Sequence, residues 1–268
     1  MYSKIHIDPG TTKPEYLDAW LKWWPEIRHK VQVIKVSGGE PLLSKNFWKF
    51  IDSIGSAPNL KLSINSNLSV SQDCLDRLAA IAPNFSDITI SASLDATGAI
   101  AEYARQGLDY EKFVANVEYW CSQTPTNCLL YLQSTVNILN VWGLTDKFDL
   151  NIKLKHAYPD RVKDLYCTVV RSPEFQSISI LPRSIRLRLN SHMQTWADQN
   201  HSSMSESELI YIHKITGYLI NDPEPMHDFS QRQLELDFVK FLQYYDRSSK
   251  QKYQAIYPTE FVEWIHTI

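Results

Sequence analysis

Cysteine is scarce in this sequence and poorly spaced for metal chemistry. The four cysteines, Cys74, Cys121, Cys128 and Cys167, form no CxxC or CxxxC pair, and the closest two are separated by six residues. Such scatter reads as reduced thiols in a cytosolic protein and excludes a cluster or zinc site built from neighbouring cysteines. The histidines form no HxxH or HExxH pattern and define no metal site. Long apolar runs are missing too: no stretch approaches the ~20 apolar residues that span a bilayer. The N-terminal "MYSKIHIDPGTTKPEY" lacks an apolar signal core, so the expectation is a cytoplasmic protein with no membrane partner. Neither sign of charge dominates. The chain carries 27 Lys and Arg against 30 Asp and Glu, interspersed, for a net charge of −3, and no nucleic-acid partner is expected. GxGxxG, Walker-type and GxSxG motifs are absent, as are internal repeats and low-complexity tracts.

What remains is an ordinary globular composition, and 268 residues suffice for a full core. Eight Trp and fourteen Tyr suit a packed interior with broad contact surfaces. The first 170 or so residues alternate short apolar runs with helix-periodic segments. "KIHI" is a possible first strand, "DPGTTKP" a turn, and Pro14 opens a helix through "EYLDAWLKWWPEI". Strands "VQVIKV", "LKLSIN", "DITISASL" and "CLLYLQSTVN" follow. They are separated by the helices "NFWKFIDSIGS", "SQDCLDRLAAIA" and "YEKFVANVEYWCSQ", with a short helix "LTDKFDL" after the last. "YCTVV" reads as a weaker strand, and "SISILP" as a candidate for the same sheet edge. The aromatics at 20, 23, 24, 119 and 120 are assigned to the core.

Strands separated by helices of this length predict right-handed βαβ units and a parallel sheet, with strands apolar on both faces. After about residue 183 three long helical patterns follow, two of them joined by the Pro-rich "NDPEPMHD". The expected fold is α/β: a partial (β/α)6 TIM-like barrel over residues 1–182 with a helical C-terminal extension over 183–268. A doubly wound open sheet is the alternative.

In parallel α/β folds, ligands sit at the carboxyl ends of the strands. Polar residues cluster there. Ser37-Gly38-Gly39-Glu40-Pro41 follows "VQVIKV", and Asn65 and Asn67 end the next strand. Ser91, Ser93 and Asp95 lie on the strand after that, and Gln133, Ser134, Thr135 and Asn137 on the following one. A glycine pair lets backbone approach a ligand closely, and Glu40 adds an acceptor for an ammonium. Arg105 could clamp a carboxylate. Each of these also has a plain structural reading, as a tight turn, an N-cap or a solvated arginine.

The stretches "IKVSGGEPLL", "LSINSNLSV", "ITISASLDATGAIAEYARQGLDYEKFVANV" and "LQSTVNILNVWGL" together resemble the radical S-adenosylmethionine (SAM) superfamily. They are most similar to its twitch-domain-containing bacterial and phage members, as is "LDFVKFLQYYDRSSKQKYQAIYP" near the C-terminus. The resemblance implies that Gly38, Gly39 and Glu40, with Pro41 completing the motif, receive the amino group of SAM. It implies that Ser93 and Asp95 line its ribose and carboxylate and that Arg105 pairs with the carboxylate. Asn65 or Asn67 would face the cavity, with Ser134 and Asn137 beside the adenosine.

The family also holds a [4Fe-4S] cluster on a CxxxCxxC loop after the first strand, but this sequence has no cysteine before Cys74. The twitch-domain cysteines are missing as well. Two explanations stay open. In the favoured one, the chain is the barrel portion of a longer enzyme that cleaves SAM to a 5′-deoxyadenosyl radical and modifies a peptide or small protein. It would be inactive alone and could be restored only by a polypeptide carrying the missing loop. In the other, "KIHI" is a true first strand and "DPGTTKP" has replaced the cluster loop. The chain is then a cluster-free relative that binds SAM, another nucleoside or a peptide, or serves as a scaffold.

Overall fold

The computed structural model describes residues 5–7, 14–221 and 229–268. Its elements, in chain order, are β1 (Ile5–Ile7), α1 (Pro14–Ile27), β2 (Val33–Val36), α2 (Lys45–Ile54), β3 (Ala57–Ser66), α3 (Gln72–Ala80), β4 (Phe85–Ser93), α4 (Gly98–Ala104), α5 (Tyr110–Gln123), β5 (Cys128–Val136), α6 (Leu144–Ala157) and β6 (Tyr166–Val169). Then come α7 (Arg183–Asn200), α8 (Glu206–Ile220), α9 (Gln231–Ser248), α10 (Tyr253–Ile256) and α11 (Thr259–Thr267). The "DPGTTK" part of the expected first turn and residues 222–228 of the Pro-rich connection lie outside the described residues.

The strands are ordered β1-β2-β3-β4-β5-β6. β1–β2, β2–β3, β3–β4 and β5–β6 pair in parallel, with registers Ile5↔Ile34, Ile34↔Leu62, Leu62↔Ile88 and Ser134↔Cys167. A doubly wound sheet reverses its strand order at a switch point, and this one does not. The fold is therefore α/β, with parallel strands wound in the chain order of a TIM-like barrel.

Two compact units divide the chain. The first comprises Met1–Ser93, Glu111–Leu132 and Leu154–Lys163, and the second Leu94–Tyr110, Gln133–Lys153 and Asp164–Ile268.

In the first unit β2, β3 and β4 are apolar on one face only. Ile34, Val36, Leu60, Leu62, Ile64, Ile88, Ile90 and Ala92 are all buried. The residues between them are Lys35, Lys61, Ser63, Asn65, Asp87, Thr89 and Ser91, and the expectation of two apolar faces is corrected. Right-handed crossovers in chain order put the crossover helices on one face of the sheet, and the buried apolar residues of β2–β4 mark that face. The period-two alternation in "VIKV", "LKLSIN" and "DITIS" encodes this directly.

The second unit has an aromatic core. Phe261 of α11 touches the rings of Trp142, Phe238, Tyr253, Tyr257 and Trp264. Buried Glu208 ties three segments together: its Oε1 accepts from Asn151 Nδ2 at 2.8 Å and Leu165 N–H at 3.1 Å, and its Oε2 from Ser205 N–H at 3.0 Å.

Other expectations change as well. "SISILP" forms no strand; Ile178–Ile180 is a 3₁₀ turn capped by Ser177. α6 continues past "LTDKFDL" to Ala157, because Asn151 is buried on Glu208 rather than ending the apolar pattern. α10 and α11 form where the sequence predicts no helix, and the segment before Arg105, open to either loop or helix, is the helix α4. Trp20, Trp24 and Trp120 are in the core as expected, but Trp23 is 48% exposed. No helix among the described residues is long and apolar enough to cross a membrane.

Candidate functional site

The chain leaves β2 through Gly38 at φ 102° and Gly39 at φ 55°, backbone states that suit glycine. These turns bring the Glu40 carboxylate back over the strand ends. Its Oε1 accepts hydrogen bonds from Ser66 Oγ at 2.9 Å and Leu42 N–H at 3.3 Å, and its Oε2 accepts from Asn67 N–H at 2.8 Å. Pro41 is buried and opens the 3₁₀ turn Pro41–Leu43, after which Ser44 caps α2 through Phe47 N–H. Ser66 Oγ also accepts from Leu68 N–H at 2.9 Å, and Asn67 Oδ1 accepts from Ser69 N–H at 2.9 Å. Glu40 thus joins the β2–α2 turn to the end of β3, and the Asn67 side chain closes a local turn. The carboxylate expected to take a ligand ammonium already carries three of the chain's own donors.

Asn65 is placed differently. It shares a register with Ser91 on β4, and the two lie on the polar face. Asn65 Oδ1 and Ser91 Oγ are both buried without a hydrogen-bond partner among the described residues. Ser91 is 0% exposed. A buried polar atom left unpaired costs roughly 1–3 kcal/mol, so two side by side mark a place where a ligand or water belongs. One row back, Lys35, Ser63 and Thr89 share a register across β2, β3 and β4. One row further, Lys61 Nζ lies 3.5 Å from Asp87 Oδ2, and Asp87 Oδ1 accepts from Thr89 Oγ1 at 3.2 Å. Ser93, at the end of β4, is half-buried.

The second unit holds the remaining expected residues. Asp95 Oδ2 pairs with Arg105 at 2.8 Å, and Asp95 Oδ1 accepts from Thr135 N–H at 3.0 Å. Arg105, directly after α4, is therefore already matched with a carboxylate of its own chain. Asn137 Oδ1 accepts from Leu139 N–H at 2.8 Å and Asn140 N–H at 3.3 Å, capping the turn into α6. Ser134 is buried. Its hydroxyl donates to Leu94 O at 3.0 Å and accepts from Lys147 Nζ. Lys147 is 0% exposed and its Nζ lies 3.8 Å from Cys167 Sγ. No motif flagged it, since one lysine within "LTDKFDL" gives no sign of burial.

The cysteines do not fit an iron–sulfur cluster. Cys74 sits half-buried in the first turn of α3, with Ser71 Oγ donating to its sulfur at 3.5 Å. Cys121 and Cys128 are buried in the first unit. Burial pushes the Cys121 thiol up to about 12 against the opposing charge of Arg161, and raises the Cys128 thiol too. Iron binds thiolate, which both sites disfavour. Arg161 is committed elsewhere: it donates to Cys128 O at 2.7 Å, Thr124 O at 3.1 Å and Trp120 O at 3.0 Å, holding the end of α5. Among the described residues no three His, Cys, Asp or Glu side chains group as a metal site. No family model matches the chain, and no curated protein matches it.

Proposed function

We propose that this chain is a cluster-free relative of the radical SAM barrel that binds a small polar ligand on the polar face of its sheet, without generating a radical itself. The observation that carries the reading is the order β1, a cysteine-free segment, α1, β2 and the Gly-Gly-Glu turn. β1 pairs in register with β2, and the residues between β1 and α1 read "DPGTTK", where the family keeps its cluster loop. The Gly-Gly-Glu turn then serves the fold through Glu40, while Asn65 and Ser91 keep unspent hydrogen-bonding capacity. In this reading ligand recognition has outlived the chemistry. The backbone of Gly38 and Gly39, Asn65 and Ser91 would contact the ligand, and SAM and related nucleosides are the first candidates.

The test is calorimetric titration of the isolated chain, without added iron, with SAM, S-adenosylhomocysteine and adenosine. Saturable one-to-one binding of at least one of them, lost in an Asn65→Ala/Ser91→Ala double variant, supports the reading. Absence of binding by all three, or formation of 5′-deoxyadenosine from SAM under reducing conditions, would overturn it.

A further inference from the structure

We propose that the polar face of β2–β4 is a seat for a small anionic metabolite, with Lys35 holding a carboxylate or phosphate group and Asn65 and Ser91 reading a neutral polar group beside it. This rests on the ligand-binding face proposed above but departs from it in ligand class, since SAM carries a sulfonium and adenosine no charge, so the two titrations succeed or fail independently.

The charge follows from the side chains on that face. Among the described residues of β2–β4 it carries two lysines, Lys35 and Lys61, and one acid, Asp87. Asp87 is spent on Lys61 at 3.5 Å and on the Thr89 hydroxyl at 3.2 Å. Lys35 is half-buried, and no ion pair is formed by it among the described residues. Its register neighbour Ser63 carries a hydroxyl of the kind that completes an oxyanion's shell around an ammonium. A half-buried cation with hydroxyls alongside attracts an anion more strongly than an exposed lysine, because less solvent screens it.

The size follows from sheet geometry. Adjacent strands lie ~4.8 Å apart and two residues along a strand span ~6.6 Å. The row Lys35–Ser63–Thr89 and the row Asn65–Ser91 therefore outline a patch of roughly 10 by 7 Å. Inorganic phosphate can occupy the Lys35 end alone. A hydroxy-tricarboxylate such as citrate is long enough to reach both rows.

The experiment titrates the full chain at low ionic strength with inorganic phosphate and, separately, with citrate. The wild type is compared with Lys35→Met, Lys35→Arg, Ser91→Ala and the surface control Lys22→Met, each checked for folding by circular dichroism. The expected result is saturable binding of both probes, weakened about tenfold or more by Lys35→Met and restored by Lys35→Arg. Ser91→Ala should weaken citrate and leave phosphate unchanged. No saturable binding of either probe by the wild type up to about 10 mM would overturn the proposal. So would equal losses in Lys35→Met and Lys22→Met, which would mean diffuse surface attraction. Iron content is measured on the same preparations. A chain that takes up a cluster refutes the cluster-free reading, while the anion titration stands or falls separately.

Discussion

Replacing Glu40 by alanine tests whether the Gly-Gly-Glu turn is a structural latch. The carboxylate accepts three hydrogen bonds, from Leu42 N–H, Ser66 Oγ and Asn67 N–H. A hydrogen bond to a charged group contributes about 1.5–3 kcal/mol when buried, and less where water can replace the lost partner. These bonds are partly buried and one is long at 3.3 Å, so together they stabilise the fold by about 3 kcal/mol. For a chain of this size that lowers Tm by roughly 6–12 °C. Glu40→Gln keeps one acceptor oxygen and should lose about half as much. Thermal unfolding followed by circular dichroism reads both variants. A Glu40→Ala protein melting within about 1 °C of wild type would show that the carboxylate holds nothing in the free protein, and the latch argument would fail.

Arg161→Met removes the guanidinium from four acceptors, three at the end of α5 and one at the start of β5, and should cost about 3 kcal/mol, read as a lower urea midpoint. Cys121 makes stability fall in alkali. Its thiol is held up to about 12, so above an ordinary value of about 9 the unfolded chain releases a proton that the folded chain keeps. The Cys121 contribution is whole below pH 9 and is lost as pH rises toward 12. Cys121→Ala should flatten the unfolding free energy measured between pH 8 and 10, and an unchanged slope would contradict the assignment. Thiol titration of the native protein at pH 8 should show fast reaction at half-buried Cys74 and slow reaction at buried Cys121, Cys128 and Cys167. Rapid modification of all four would show that the buried sites are open. Asp95→Asn weakens the pair with Arg105 but keeps an acceptor for Thr135 N–H, so its Tm should drop by only about 2–3 °C.

Much of the architecture was legible because hydrophobic period and turn chemistry agree along the first half of the chain. "YEKFVANVEYWCSQ" and "RSIRLRLNSHMQTWADQN" are the helices α5 and α7 residue for residue. Strand order was not legible, since the same run of strands and helices fits a barrel or a doubly wound sheet until the pairing is known. The polar face was present in the alternation of "LKLSIN", but a general expectation for parallel strands outweighed it. That expectation holds where both faces meet apolar layers, whereas here one face of β2–β4 carries Lys35, Lys61, Ser63, Asn65, Asp87, Thr89 and Ser91.

The candidate site was legible only as a location. Composition pointed to the strand ends, yet a carboxylate offered to a ligand and one folded onto Ser66 and Asn67 look identical in sequence. The same holds for Arg105, whose partner Asp95 lies ten residues earlier, in the connection between β4 and α4. Lys147 and Glu208 were missed because burial of a charged side chain depends on partners far away in the chain, and local pattern carries no trace of them.

The most direct test of the cluster-free reading is iron content after anaerobic reconstitution of the chain with ferrous iron and sulfide, followed by desalting and absorption spectroscopy. No retained cluster and no thiolate-to-iron absorption are expected, with Cys121 and Cys128 still slow toward thiol reagents. Retention of about four irons per chain with a cluster spectrum that reduces and reoxidises would contradict it.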